Sequence, residues 1–130
     1  MRAINAVWLL IGFTVWHSAA AEERFFTGTF QGEGRQCQGE LSVRAKSLDW
    51  RTPFATCKNS SYKIIKKISP SEKQEFVFVL NKHCDFGVVS LEWNPEYPDY
   101  WNVTGYRTLN DFMSKSDDKL QCGMKKQGGL

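Results

Sequence analysis

The sequence lacks the motifs that mark most catalytic sites, and it holds little histidine. It contains no G-x-S-x-G elbow, no H-E-x-x-H pair, no Walker loop and no G-x-G-x-x-G fingerprint. Its two histidines are His17, in a leader segment described below, and His83. A hydrolase would depend on His83, with Glu40 and Arg44 or Arg107, whose spacing does not require that role. We therefore predict no catalytic residue and a non-enzymatic protein, with a small secreted hydrolase using His83 as an alternative.

The close spacing of metal ligands is missing as well. Structural zinc sites usually draw on cysteines a few residues apart, and no two of the four cysteines are that close. Glu92, Glu96 and Asp99 are the one acidic cluster of interest, but they lack the ligand rhythm of a calcium-binding EF-hand loop. The sequence predicts no metal and no cofactor.

The cysteines instead indicate disulfides. Cys37, Cys57, Cys84 and Cys122 form an even set in a short chain with an export leader, which is typical of a disulfide-stapled domain. Three pairings are possible for four cysteines. We expect Cys37–Cys57 and Cys84–Cys122, because each bridge would close a loop between strands that are plausible neighbours.

A membrane-spanning run is absent. The longest apolar stretch, residues 3–16, falls short of the roughly 20 residues that cross a bilayer. It follows Arg2 and precedes Ala19 and Ala21, small residues that suit a signal peptidase. We predict a cleaved signal peptide over residues 1–21, a soluble product, and a secreted or periplasmic location. The net charge of +3 is too small to indicate a nucleic-acid partner.

Hydrophobic residues recur with a period of two along most of the remaining chain, which is the pattern of β-strands. Between Cys37 and Lys46, for example, Leu41 and Val43 alternate with polar residues. Short turn segments separate these runs, so successive strands should pair as antiparallel hairpins. The sequence predicts an all-β fold: one domain, residues 22–126, with about seven or eight antiparallel strands in a meandering barrel or sandwich. Residues 127–130 are expected to form a disordered tail.

Two segments depart from simple alternation. Residues 76–80 are apolar on both faces, so this strand should be central or covered on its outer side. Residues 108–113 begin with Thr108, a good N-cap, and have Asp111 three positions later. They predict a short helix, and the fold should contain at most one.

The most informative stretch is residues 93–101, called here the aromatic loop. It combines two tryptophans, two tyrosines, two prolines and two acids. Prolines restrict the backbone, and Tyr and Trp are the side chains most enriched at binding hot spots. We predict a partner-binding site at this loop, comprising Trp93, Glu96, Tyr97, Asp99, Tyr100 and Trp101. For Trp93 and Trp101 a position in the core is the favoured alternative, and the aromatics could instead stack on sugars.

These observations favour a binding protein that acts on another protein of the exported compartment, such as an inhibitor, an immunity factor or an adaptor. Glu96 and Asp99 would suit a cationic partner. The alternative is a barrel that carries a small apolar ligand. Lys63, Lys66 and Lys67 suggest a weak contact with an anionic surface, although solvated strand edges explain them at least as well. The glycosylation patterns at Asn59 and Asn102 matter only in a eukaryotic host.

Overall fold

A computed structural model describes residues 26–68, 73–81 and 84–128. Eight antiparallel strands close into a barrel in which each strand pairs with its neighbours in the chain and β1 pairs with β8. The predicted all-β meander is confirmed, and it is a barrel. The strands are β1 (Gly28–Gly32), β2 (Gly39–Val43), β3 (Ser47–Arg51), β4 (Thr56–Ile68), β5 (Gln74–Leu80), β6 (Val88–Trp93), β7 (Trp101–Tyr106) and β8 (Lys119–Gln127).

The alternating apolar residues of these strands fill the barrel. Trp50, Phe30 and Phe78 are the largest side chains with no exposed surface, and residues from every strand complete the packing. Each such side chain contributes about 1.5–3 kcal/mol through burial of its apolar surface. The inward period-two pattern is therefore the main source of the fold's stability.

The outer face of β5 is covered, as its sequence predicts. Val77 packs with Val88 and Tyr106 in a small cluster outside the barrel, and Phe112 contacts the same cluster from a short helix. This helix, α1 (Leu109–Met113), is the single predicted helix of the sequence. Its N-cap is Thr108, whose hydroxyl accepts a hydrogen bond from the Asp111 amide.

The expected disulfide pairing is wrong. The bridges are Cys37–Cys122 and Cys57–Cys84. Closure of the barrel explains the first bridge, because β8 pairs with β1 and brings Cys122 beside the β1–β2 connection that holds Cys37. The β5–β6 connection explains the second, because its described residues Asn81 and Asp85 lie against β4.

Two hydrogen bonds hold that connection on β4. The Thr56 amide donates to the Asp85 carboxylate at 2.7 Å, and the Asn81 amide donates to the Ser61 carbonyl at 2.8 Å. Cys84 is thereby placed over Cys57 at the start of β4.

Because consecutive strands are antiparallel, successive connections alternate between the two ends of the barrel. The connections β1–β2, β3–β4, β5–β6 and β7–β8 lie at one end, called the disulfide end, because Cys37 and Cys84 belong to it. The connections β2–β3, β4–β5 and β6–β7 lie at the other, called the loop end, together with the start of β1 and the end of β8. The aromatic loop is the β6–β7 connection.

The boundaries of the domain are described in part. The predicted signal peptide lies outside the described residues. Strand β8 reaches Gln127, the first residue of the predicted tail, whereas Gly129 and Leu130 lie outside the described residues. Within the described ranges, no helix has the length and apolar character needed to cross a membrane.

Candidate functional site

The backbone of the aromatic loop is fixed by its own hydrogen bonds. The Tyr97 amide donates to the Asn94 carbonyl at 3.0 Å, and the Tyr100 amide donates to the Tyr97 carbonyl at 3.1 Å, which makes two consecutive turns. The Asn94 side chain accepts from the Glu96 amide at 3.0 Å. Asn94 thus acts as the turn-initiating residue that its side chain favours.

A fourth hydrogen bond ties the loop to strand β6. The indole Nε1 of Trp93 donates to the Pro98 carbonyl at 3.1 Å. Trp93 is half-buried and lies 6.4 Å from the Trp101 ring, which joins the core. The loop therefore rests on two packed tryptophans and presents a defined shape.

The six predicted site residues separate into two groups. Trp101 is only 6% exposed and belongs to the core, as the alternative interpretation of its sequence position expects. Tyr97 and Tyr100 are 66% and 46% exposed, and Glu96 and Asp99 are exposed beside them. The residues that can touch a partner are thus the two tyrosines and the two acids, with Trp93 and Trp101 as their support.

A cleft of about 290 Å³ opens beneath the tyrosines. Its walls include Tyr97, Tyr100 and Asn94 from the loop together with residues from other parts of the chain. Those additional residues are Lys73, Glu92, Asn102 and Gly123. The loop composition did not reveal them, although the alternation along β6 and β7 would have placed Glu92 and Asn102 on the outer face.

One cation already lies against this aromatic surface. The ammonium of Lys125 on β8 lies 5.4 Å from the centre of the Tyr100 ring. An aromatic face attracts a cation at this distance by about 0.5–1 kcal/mol when the pair is exposed. The loop surface therefore suits basic side chains, provided that they reach the tyrosine rings or the carboxylates.

A polar groove of about 480 Å³ continues from the cleft along the outer face of β6 and β7, and the two share Glu92 and Asn102. Ser90 and Thr104 are buried cross-strand partners in this groove. Burial raises the pKa of the Tyr106 hydroxyl at the same groove, and the negative charge of Glu92 raises it further. The groove offers hydrogen-bonding groups of several kinds.

Glu75 and Glu92 stand directly opposite each other in the same groove. Facing carboxylates repel, and Lys66 relieves this by an ion pair with Glu75 at 3.1 Å.

Of the residues suggested for a hydrolase, Glu40 is exposed near the start of β2, and the two alternative arginines lie at different ends of the barrel. Arg44 follows β2 at the loop end, where it pairs with Asp49. Arg107 lies at the disulfide end, 3.5 Å from Asp118. His83 lies outside the described residues, and its role in such a site stays a prediction. Among residues 26–68, 73–81 and 84–128, no group of three His, Cys, Asp or Glu side chains could hold a metal ion.

A cavity of mixed character lies at the disulfide end, away from the aromatic loop. It has a volume of about 260 Å³, and its lining combines the apolar residues Phe54, Ala55, Phe86 and Leu120 with the polar residues Gln36, Arg107, Asp118 and Lys119. Pockets that hold drug-sized ligands usually measure about 300–1,000 Å³. The cavity thus suits a small fragment better than a full carrier ligand.

Comparison of the chain with models of protein families, with curated proteins and with solved structures finds no match.

Proposed function

We propose that this is a binding protein of an oxidising, exported compartment, and that it captures another protein through the aromatic loop. Its role would be that of an inhibitor, an immunity factor or an adaptor. The observation that carries the proposal is the hydrogen-bonded loop, which presents Tyr97 and Tyr100 to solvent above a cleft.

The order of the loop supports this proposal. Ordering a flexible side chain or segment on binding costs free energy, and a loop that is already fixed avoids much of that cost. Tyrosine adds large contact area and a hydroxyl while losing little rotamer freedom. Two exposed tyrosines on a fixed turn can therefore form a binding hot spot with little loss of conformational entropy.

Charge supports a partner with basic groups. Glu96 and Asp99 are exposed in the loop, and Glu92 lines the adjoining cleft. Carboxylates at the rim of an interface steer a basic partner toward it and set its orientation. Tyr97 offers a second aromatic face on which a partner's Arg or Lys can stack.

The disulfides support the proposed compartment. Two bridges join all four cysteines. Such bridges persist in oxidising spaces, including the bacterial periplasm and the extracellular space. Signal peptidase cleavage after Ala21 would complete the export step.

Affinity capture from extract of the native compartment tests the proposal. The Tyr97→Ala, Tyr100→Ala double variant should lose a hundredfold or more in affinity for the captured protein, given about 2 kcal/mol per hot spot. Phe54→Ala is the matched control, because Phe54 is an exposed aromatic residue at the opposite end of the barrel. Capture that is equally strong with the double variant and the wild type would refute the proposed site.

Carriage of a small apolar ligand is the second candidate, and the cavity beside Phe86 is the observation that favours it. The barrel interior itself is filled by side chains such as Trp50 and Leu41, so a ligand would occupy the end cavity and not the interior. Native mass spectrometry of freshly purified protein separates the two candidates. A bound small molecule, lost in a Phe54→Arg variant, would favour the carrier.

A further inference from the structure

Strand β4 has an open edge. It is 13 residues long, and β3 pairs with it only as far as Ser61. Beyond that point, Tyr62–Ile68 pair with β5 on one side. On the other side, no strand in the described part of the chain pairs with them. This stretch, called here the β4 edge, extends beyond β3, so the backbone of residues 62–66 has no β3 partner on that side.

Apolar side chains are unusually exposed on the β4 edge. Ile64, Ile65 and Ile68 are 38%, 48% and 41% exposed. Isoleucine is a strong strand former, and an exposed apolar edge is the usual template for the addition of another strand. A register shift between Ile64 and Lys66 gives the edge a β-bulge, which sets its local twist.

Charge determines what kind of strand can be added. Lys63 and Lys66 are exposed on the edge, and Lys46 lies in the β2–β3 turn. That turn lies beside the start of the edge, because the Tyr62 hydroxyl donates to the Arg44 carbonyl. Glu75 neutralises part of this charge by pairing with Lys66. The net charge of these residues is still positive.

A second copy of the chain is a poor occupant. Pairing of two β4 edges would place the lysines of both copies along one seam, and facing like charges destabilise a strand pair. Lysines on an edge discourage this kind of self-association. The same lysines attract a strand that carries carboxylates.

We propose that the β4 edge binds an extended, acidic segment of a partner protein, which adds to the barrel wall as a further strand. Backbone hydrogen bonds would supply affinity, and the lysine and isoleucine side chains would select an acidic and apolar pattern. This surface is separate from the aromatic loop and does not depend on the function proposed for it.

Two synthetic peptides test this inference by fluorescence anisotropy. One alternates Glu with Val over ten residues, and the other replaces each Glu with Lys. We expect the acidic peptide to bind and the basic peptide not to bind. The Lys63→Glu, Lys66→Glu variant should weaken binding of the acidic peptide at least tenfold. Lys58→Glu is the matched control, because Lys58 lies in the part of β4 that runs beside β3.

Amide hydrogen exchange locates the binding site even if a charge variant folds poorly. Acidic peptide added to the wild type should protect amides of residues 62–68 and leave those of the aromatic loop unchanged. The Tyr97→Ala, Tyr100→Ala variant should bind the peptide as the wild type does. The inference is overturned if neither peptide binds, if both bind equally, or if protection appears elsewhere. Two further outcomes would also overturn it. The β4 edge could mediate dimerisation that the acidic peptide does not inhibit, or it could bind phosphatidylglycerol vesicles that the acidic peptide does not displace.

Discussion

Cys37 is covalently joined to Cys122, so one disulfide links the β1–β2 connection to β8, the strand that closes the barrel against β1. The first and last strands of a closed barrel need not stay together once either terminus frays. This bridge holds them at the disulfide end, and Cys57–Cys84 holds β4 to the β5–β6 connection at the same end. The loop end carries neither bridge, and it is there that the aromatic loop and the end of the β4 edge lie.

The two disulfides should contribute unequally to stability. Cys37–Cys122 spans 85 positions of sequence and Cys57–Cys84 spans 27. Chain-entropy arguments then give about 4.6 and about 3.6 kcal/mol, respectively. Each bridge joins one buried cysteine to one half-buried cysteine, so the packing lost on removal is similar. We expect the Cys37→Ala, Cys122→Ala variant to be less stable than Cys57→Ala, Cys84→Ala by about 1 kcal/mol in urea unfolding.

The reverse order of stability would show that strain or residual structure in the unfolded chain outweighs loop length. Peptide mapping of the unreduced wild-type protein provides the prior check. It should recover Cys37 linked to Cys122 and Cys57 linked to Cys84. Any other connectivity would contradict the barrel closure itself.

A glycine on β7 makes room for an aromatic ring of the core. A Cβ atom at Gly105 would lie 2.6 Å from the Phe86 ring, which in turn packs 4.9 Å from Trp50. Gly105→Ala should therefore destabilise the protein by about 1–3 kcal/mol, the usual cost of overpacking. Thermal unfolding followed by circular dichroism measures the difference.

Gly123 supplies the control for that substitution. It also lies within a strand, but a Cβ there would meet nothing closer than Tyr100 at 4.0 Å. Gly123→Ala should be neutral or slightly stabilising, because alanine is favoured over glycine within a strand by about 0.5–1 kcal/mol. Equal losses in the two variants would mean that the Phe86 contact does not set the cost.

The sequence predicts the fold better than it predicts the cysteine pairing, and the reason is physical. Alternation along each strand is local, so it identifies the inward residues and even the covered face at Val77. Likewise, the Thr108 cap depends on residues within one turn of helix α1. The pairing of Cys37 depends on which strand closes the barrel, and that is decided by contacts between the two ends of the domain.

The candidate site likewise combines features that depend on local sequence with features that depend on contacts between distant parts of the chain. The composition of residues 93–101 predicts a binding loop, and turn chemistry at Asn94 explains its shape. Composition alone could not tell that Trp101 is turned into the core while Tyr97 is exposed. Nor could it bring Lys73 and Gly123 to the cleft, because they come from distant parts of the chain that the barrel brings together.

Asp49 should make stability depend on pH in the acid range. Burial would raise the pKa of its carboxyl, but the hydrogen bond from the Asn59 amide and the pairing with Arg44 outweigh it and lower the pKa below its ordinary value of 3.8. A carboxyl whose pKa is depressed in the folded state stabilises that state at pH values above its ordinary pKa. This stabilisation is lost as the pH falls through the folded-state pKa.

The Asp49→Asn variant isolates this contribution. It should be less stable than the wild type in urea unfolding at neutral pH, and the gap should close in strongly acid solution, where both side chains are uncharged. Asp117→Asn is a suitable control, because Asp117 is an exposed acid in the β7–β8 connection, away from Asp49 on β3. A gap that does not change with pH would indicate lost packing instead of lost charge.

The order of the aromatic loop should depend on the side chain of Asn94. Asn94→Ala removes the acceptor for the Glu96 amide and leaves both tyrosines in place. A hydrogen bond of this kind contributes about 0.5–1.5 kcal/mol, so exchange of the Glu96 amide should accelerate by up to about tenfold. The captured partner should dissociate faster by a similar factor, because the loop must then be ordered on binding.

Asn81→Ala is the matched substitution for this test. Asn81 is also an exposed asparagine whose side chain makes a hydrogen bond next to a turn, to Ser61 at 3.2 Å, but it lies at the disulfide end. It should leave exchange at Glu96 and partner dissociation unchanged. If Asn94→Ala accelerates exchange without affecting dissociation, then the loop is ordered for a reason other than partner capture, and the site must be sought elsewhere on the barrel.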